Sequence, residues 1–596
     1  MIPKYLHKNM YNRGRSVYFK QEDNMKNLFK VSFALLFACL FTATWANQVF
    51  YLPNTYQEIT KNDSSKIKAK YSLNFDYQSK AFKQQNEAFG KELWGQTPSK
   101  WQVNAKKPQA IEYLGWLYVY NQILNQENRL ENAGKVAYQN YKDVIVLGMG
   151  GSSLGVEVLR SVFGKEKGYP ALQIFDSSNP DQLLDLEKKL DLTKTLFIVS
   201  SKSGTTAETL YGYYYFYDKL AKLTDNPGKH FVAITDKGSF LDKEATEKDF
   251  LYTFLNRTDI GGRFSVLSYF GMAPAALAGY DIEGILESAQ EYSVSLKNGD
   301  SLPLILAKTI TQSETRTNAT MYLKLDKSLY SFGLWIEQLL SESLGKAGKG
   351  VVPVIVKDLP CPKQLKEGDS LVILSYKEQK IPQGYNIPII VMQMQDKEDI
   401  GQQFLLWEVA TTYSGKLLNI NPFDQPDVAL AKAKTSQVLK EVQAGKTFDL
   451  SPVAYANIKQ ENNLAKTILN QANNPETEYI TLLAYTNPTK ANQKALNSFA
   501  KTLQKKVNKP VIITYGPRYL HSLGQMFKGG ANKGLFLLFV GSQNNAMTLK
   551  GDFKELFLAQ AFGDFEALKE KDRKAIKVYL DKTPLKTYLK DLKKSL

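Results

Sequence analysis

Leu196-Phe197-Ile198-Val199-Ser200-Ser201-Lys202-Ser203-Gly204-Thr205-Thr206-Ala207-Glu208-Thr209 starts as an apolar run and turns into a loop of hydroxyls around one glycine. The apolar part reads as a buried parallel strand. The part from Glu208 through Leu210, Tyr211 and Tyr214 reads as the start of a helix. Hydroxyls and unpaired amides at a helix N-terminus after a strand suit a phosphate, because the donors and the helix dipole converge there. An ordinary Ser/Thr-rich helix cap accounts for the same residues when the stretch is taken alone.

A second unit of the same kind lies upstream. The apolar strand Val144-Ile145-Val146-Leu147 runs into Gly148-Met149-Gly150-Gly151-Ser152-Ser153-Leu154-Gly155, then into the helical segment Val156–Arg160. Glycines let a ligand come close to the backbone, and Ser152 and Ser153 add hydroxyls. A dinucleotide site would need a different glycine spacing and an acidic residue for the ribose; Asp176 is the one residue near that place. The strands expected near 143–148, 171–175, 195–200 and 230–235 alternate with helical patterns, which predicts a parallel α/β unit. A second set is expected near 351–356, 370–375, 387–393, 479–485, 510–515 and 534–541. Residues 50–140, 266–345 and 553–596 read as mainly helical.

The 596 residues are too many for one core. The net charge is +17, yet the lysines are dispersed and no basic–aromatic array for nucleic acid is present. The densest cluster, Lys586 to Lys594, alternates with Leu585, Tyr588, Leu589 and Leu592 and reads as a solvated amphipathic helix rather than a nucleic-acid arm. Positive charge should also attract a dianionic ligand. Cys39, Cys361, His7, His230 and His521 offer no metal-ligand spacing or disulfide framework, so no metal and no cofactor are expected. His230, at a strand edge, reads as structural. Met25–Ala46 has a basic start, an apolar core from Val31 to Phe41 and small residues at its end, the layout of a secretory signal. It is short of the ~20 apolar residues of a stable membrane span.

These motifs carry a resemblance. Gly148–Gly155, Ser201–Thr209, Gly261-Gly262-Arg263-Phe264-Ser265-Val266-Leu267-Ser268 and Glu337-Gln338-Leu339-Leu340-Ser341-Glu342-Ser343-Leu344-Gly345-Lys346 occur in the order and spacing of the phosphoglucose isomerase family. Ile420-Asn421-Pro422-Phe423-Asp424-Gln425-Pro426-Asp427-Val428 and Gly516-Pro517-Arg518-Tyr519-Leu520-His521-Ser522-Leu523-Gly524-Gln525 resemble the isomerase region of bifunctional transaldolase/phosphoglucose isomerases. The similarity spans roughly residues 50–580. No transaldolase-sized region precedes it, so the isomerase alone is expected.

The resemblance implies an α/β protein with two sugar-isomerase (SIS-type) three-layer α/β/α domains and parallel sheets. The boundaries that follow are 1–46 for the leader, 47–140 for a helical N-terminal segment, 141–320 and 321–552 for the two domains, and 553–596 for a C-terminal helical segment. It implies interconversion of glucose 6-phosphate and fructose 6-phosphate through a cis-enediolate, by a homodimer whose sites draw on both chains. A sugar-phosphate-binding regulator without turnover is the competing class; a binder needs no base. The family's compartment is the cytoplasm, against the export that Met25–Ala46 suggests.

Residue by residue, the resemblance assigns the phosphate to Ser201, Ser203 and Thr206, with amides near Lys202 and Gly204. It assigns the sugar side to Gly151 and Ser152. Glu342 becomes the base that moves a proton between C2 and C1, with Glu337 as its rival. Arg263 becomes the cation facing the enediolate, with Gly261 and Gly262 letting its backbone sit close; a structural ion pair is its bland reading. In longer relatives a histidine in a His-Gln-Gly turn opens the sugar ring. The nearest counterpart here, Tyr413-Ser414-Gly415, lacks it. His521 resembles the histidine motif of short bacterial relatives, displaced toward the C-terminus, and imidazole chemistry suits moving a proton at the ring oxygen. Lys528 lies in roughly the place of the family's C-terminal active-site lysine; a surface lysine is the alternative.

Overall fold

Val144–Leu147 and Leu196–Val199 are apolar at every position because both faces of their sheet are covered. Ile145, Leu147, Phe197 and Val199 pack into one core on one side; Val144, Val146, Leu196 and Ile198 pack into another on the opposite side. These contacts come from a computed structural model that describes residues 57–59, 67–95, 113–312, 318–459, 461, 463–541, 548–549 and 551–596. All of these lie in the unit Asn54–Leu596. The leader read at Met25–Ala46 lies outside the described residues.

The first sheet has five parallel strands in the spatial order Ala171–Phe175, Asp143–Gly148, Thr195–Ser200, Phe231–Asp236, Tyr252–Asn256. From Asp143–Gly148 the chain goes first to one neighbour, then crosses to the other. The strand order therefore reverses between Asp143–Gly148 and Thr195–Ser200, and a crevice opens at their C-terminal ends, the usual ligand position in such sheets. Gly148 sits opposite Ser200, so the two Gly/Ser loops leave the sheet side by side.

The second sheet runs Gln57–Ile59, Lys68–Ser72, Ile389–Gln393, Ser370–Ser375, Asn318–Leu325, Gly350–Val356. Its last four strands are parallel, and Lys68–Ser72 joins antiparallel at Ile389–Gln393. The third runs Val453–Ala456, Lys574–Tyr579, Gly534–Val540, Tyr479–Tyr485, Val511–Tyr515. It too is parallel, apart from Val453–Ala456. Val352, Val354, Leu371 and Ile373 of the second sheet share a core with Leu483, Tyr485, Phe536 and Leu538 of the third. Leu535, Leu537 and Phe539, pointing the other way, pack against Leu585, Leu589 and Leu592 of the terminal helix Leu585–Ser595.

The architecture is α/β with parallel-dominated sheets. The stretch 321–552, expected as one unit, gives strands to two different sheets, because both sets of strands share the same buried, apolar signature. Asn318–Leu325 lies in a region read as helical, and Lys574–Tyr579 lies in a tail read the same way. In Lys574–Tyr579 the lysines mimic a solvated helix face. Lys577 is in fact buried and reaches the Asp449 carbonyl, 3.0 Å away.

Candidate active site

The loop Ser201–Thr206 closes on itself through hydroxyls. Ser201 Oγ lies 2.9 Å from Thr206 Oγ1, and Ser203 Oγ lies 3.1 Å from Thr205 Oγ1. Thr206 is the N-cap of the helix Ala207–Leu220, and its hydroxyl makes no capping bond. The first-turn amides of that helix therefore remain as donors at the mouth of the crevice. The Lys202 ammonium points elsewhere: it is 2.5 Å from Asp236 Oδ2 and donates to Thr258 O at 3.1 Å. Only the backbone of Lys202 is left for a phosphate.

The other Gly/Ser loop is pressed against two neighbours. A Cβ on Gly151 would lie 2.0 Å from the carbonyl oxygen of Gly262, so only glycine allows this approach. Gly150 has φ +54 and a Cβ there would lie 2.7 Å from the His521 carbonyl oxygen. These contacts bring Gly262, Arg263 and His521 to the same crevice.

Arg263 is 4% exposed and fully engaged. Its Nε donates to Ser343 Oγ at 2.7 Å, and its Nη1 donates to Gln425 Oε1 at 3.0 Å and Glu342 Oε2 at 3.4 Å. Its Nη2 donates to the carbonyls of Pro422 at 2.7 Å and Asp424 at 3.1 Å. Lys346 holds the same 420–428 turn from below, through Asn421 O at 2.8 Å and Asp424 Oδ1 at 2.7 Å. Burial, with Arg263 adding to it, pushes the Lys346 ammonium down to about 8. Glu342 lies on the helix Tyr330–Leu344 and is 6% exposed. Burial raises its carboxyl, while Arg263, His521 and Lys346 act against that rise.

His521 arrives from the third sheet, on the short helical turn Arg518–His521 that follows Val511–Tyr515. Its Nε2 lies 2.8 Å from Glu208 Oε1, and its carbonyl accepts Gln338 Nε2 at 2.8 Å. Glu208 stands in the first turn of the phosphate-loop helix. Burial alone would raise its carboxyl, but the adjacent His521 and the hydrogen bonds from His521, its own backbone and Gln560 outweigh that and hold it down to about 2.

The chain thus brings together Gly151, Ser152, Ser201, Ser203, Thr206, Gly262, Arg263, Glu342 and His521. Two residues fall outside. Lys528 Nζ is 2.5 Å from Asp564 Oδ1, both essentially unexposed, and Asp564 also accepts Tyr519 OH at 2.6 Å. It is neither a surface lysine nor free to meet a substrate. Tyr413 stacks edge-on against Phe89, 5.1 Å between ring centres, on a different cavity of about 750 Å³ between Lys80–Trp94 and Leu296–Ser301. The site shared between two chains that the resemblance implied is not needed for the histidine: His521 comes from the same chain as Glu208. His230 is structural, with Nδ1 3.0 Å from Thr195 O. Sequence reasoning missed Glu208, Gln338, Lys346, Gln425 and Gln560 as partners. The first four sit inside the quoted motifs, which was the available signal.

The sequence model described as "Phosphoglucose isomerase" matches residues 120–352. The "Probable glucose-6-phosphate isomerase" of Methanococcus maripaludis is 30% identical over 366 residues, 53% of this chain and 82% of that protein. The "Glucose-6-phosphate isomerase" of Mycoplasmopsis pulmonis is 27% identical over 403 residues, 57% of this chain and 94% of that one. A crystal structure of a glucose-6-phosphate isomerase from Chlamydia trachomatis shares the fold with a TM-score of 0.52 at 18% identity, over 63% of this chain and 89% of the other.

Proposed function

This chain belongs to the phosphoglucose isomerase family and interconverts glucose 6-phosphate and fructose 6-phosphate, and from that premise we propose how its residues divide the work. The phosphate is held by Ser201, Ser203 and Thr206 and by the amides opening the helix Ala207–Leu220. Neutral donors suit a dianion that must also leave. Gly151, Ser152 and Gly262 line the sugar side, where the glycine–glycine contact brings the two loops together.

His521 opens the ring. An ionised carboxylate only accepts hydrogen bonds, so Glu208 fixes the proton on Nε2 and leaves Nδ1 as the acceptor: it takes the C1 hydroxyl proton and passes it to the ring oxygen as the bond between C1 and the ring oxygen breaks, giving the open-chain aldehyde. Glu342 then takes the proton from C2 and returns it to C1, two adjacent carbons that one carboxylate can serve from one face. Arg263, already beside Glu342 and buried with it, stabilises the charge that develops on the enediolate oxygens. Lys528 has no part in this scheme, since its charge is paired with Asp564. The protein is further proposed to be a homodimer in which the His521 and Glu208 of each site come from the same chain. We assign it to the cytoplasm, the compartment that the family resemblance implies. A mature N-terminus at Asn47 would overturn that assignment in favour of export.

The observation that carries the reading is the convergence of Glu342, Arg263 and the Glu208–His521 pair on the crevice that also holds the phosphate loop. A carboxylate base held beside a fixed cation is what proton transfer needs and what a binding protein does not. The test compares His521→Ala on the cyclic sugar phosphate and on an open-chain analogue. A loss of about 10²-fold or more on the cyclic substrate, with the open-chain rate within a few-fold, is the expected outcome. Equal losses on both would remove His521 from ring opening.

A further inference from the structure

The Glu208–His521 pair has a third member. Gln560, on the helix Phe553–Glu570, donates from Nε2 to the same Glu208 oxygen that His521 engages, at 2.6 Å. The other end of the Gln560 amide accepts Ser178 Oγ at 2.5 Å. Ser178 stands in the loop after the strand Ala171–Phe175 and is fully buried; Gln560 is 5% exposed and Glu208 is 4% exposed. The chain Ser178–Gln560–Glu208–His521 thus joins the first sheet to the third. One turn further along the same helix, Asp564 grips Tyr519 and Lys528, the residues flanking His521. The helix therefore holds the histidine segment at two points.

The chemistry of this row is directional. Ionised Glu208 can only accept, so the Gln560 amide must present its NH2 to Glu208 and its oxygen to Ser178. With one lobe of that carboxylate oxygen occupied by Gln560, the other is aimed at His521 Nε2. The remaining charged groups near His521 are accounted for. Glu342 on Tyr330–Leu344 is engaged by Arg263, Arg518 is 2.9 Å from Asp176, Asp427 is tied to Gln525 at 2.8 Å and to Lys571 at 2.6 Å, and Lys528 is paired with Asp564.

We propose that Gln560 is a positioning residue for ring opening: seated on Ser178, it fixes the Glu208 carboxylate and thereby decides which nitrogen of His521 carries the proton. This rests on the reading that His521 opens the ring. Without Gln560, the buried carboxylate keeps only His521 and its own backbone as donors, gains freedom to rotate, and no longer selects the Nε2–H form. Ring opening slows, while proton transfer by Glu342 is untouched.

The experiment uses the full chain labelled with ¹⁵N-histidine, as wild type, Gln560→Leu, Ser178→Ala and His521→Ala. The sequence has three histidines, so His521→Ala assigns the His521 signals by their loss. In wild type the ring nitrogens of His521 are expected to show the Nε2–H tautomer. In Gln560→Leu a mixture of tautomers is expected, with a drop of about 10-fold in rate on the cyclic substrate and an open-chain rate within twofold, in line with one hydrogen bond to a charged group. Ser178→Ala, which keeps the Gln560 side chain, should give the same selective effect at smaller size, and it carries the test if Gln560→Leu does not fold. An unchanged tautomer and an unchanged ratio of cyclic to open-chain rates in the folded variants would overturn the proposal. If instead His521→Ala depresses both substrates equally, it is the ring-opening reading that fails, and the tautomer signals alone then judge Gln560.

Discussion

Burial raises the Glu342 carboxyl above its ordinary value while Arg263, with Nη1 3.4 Å away, pulls it back. The base form appears as pH rises through the folded value, so turnover should be lost on the acid side of that value. Glu342→Gln should abolish turnover, at least about 10²-fold, with affinity for an open-chain analogue kept within a few-fold. Arg263→Met removes the opposing charge and should move the acid limb of kcat/KM to higher pH, with a fall in rate of about 10²-fold or more from the lost enediolate partner. Arg263→Lys keeps the charge and should leave the limb in place. A limb that stays put in Arg263→Met would mean that another group governs it. At this scale the sequence was most legible. Glu342 and Arg263 could be singled out because their local motifs are contiguous. Glu208 lay in full view in the Ser201–Thr209 stretch, but its role needed a histidine 313 residues away.

The helix Tyr330–Leu344 shows how one element serves two regions. Gln338 and Glu342, one turn apart, face the crevice. Glu337, five residues before Glu342, lines a cleft of about 810 Å³ with Tyr330, Asp176 and Arg518. Burial pushes the Glu337 carboxyl up to about 8, with Arg518 opposing. The folded chain then keeps a proton that the unfolded chain releases near its ordinary value of about 4.3. Stability is therefore undiminished below that value and falls as pH rises toward 8, at about 1.4 kcal/mol for each pH step of one and by a few kcal/mol in all. Glu337→Gln has no such proton to lose. It should equal wild type in chemical denaturation at pH 4 and exceed it increasingly up to pH 8, with activity retained. A loss of activity beyond about 10²-fold would return Glu337 to contention as the base. Elements such as Thr195–Ser200 and Gly534–Val540 were readable as strands because each is a continuous apolar run. Asn318–Leu325 was not, since Asn318, Thr320 and Lys324 interrupt its apolar residues and its neighbours on both sides are helices.

Across the whole molecule, three sheets converge on one crevice. The first supplies the loops, the second carries the helix of Glu342, and the third delivers His521 from the same chain. The family's sequence match ends at residue 352, before the 420–428 turn and His521. Because His521 and Glu342 belong to one chain, co-expressed Glu342→Gln and His521→Ala chains should show no activity beyond the two variants alone. Recovery to about a quarter of wild type would mean that the histidine crosses between chains.

What the sequence determined by itself is local: the strand–loop–helix units, the hydroxyl-rich phosphate loop, the base and cation within their motifs, and the α/β class. Each rests on side-chain periodicity and turn chemistry within about ten neighbouring residues. What only the tertiary structure decided is which distant residues meet. The third sheet separate from the second, Arg263 bound by carbonyls 159 and 161 residues away, Lys528 lost to Asp564, and Gln560 joined to Glu208 across 352 residues all follow from strand order and core packing. No local pattern encodes these, because a buried glutamine on an amphipathic helix looks the same in sequence whichever carboxylate it finds.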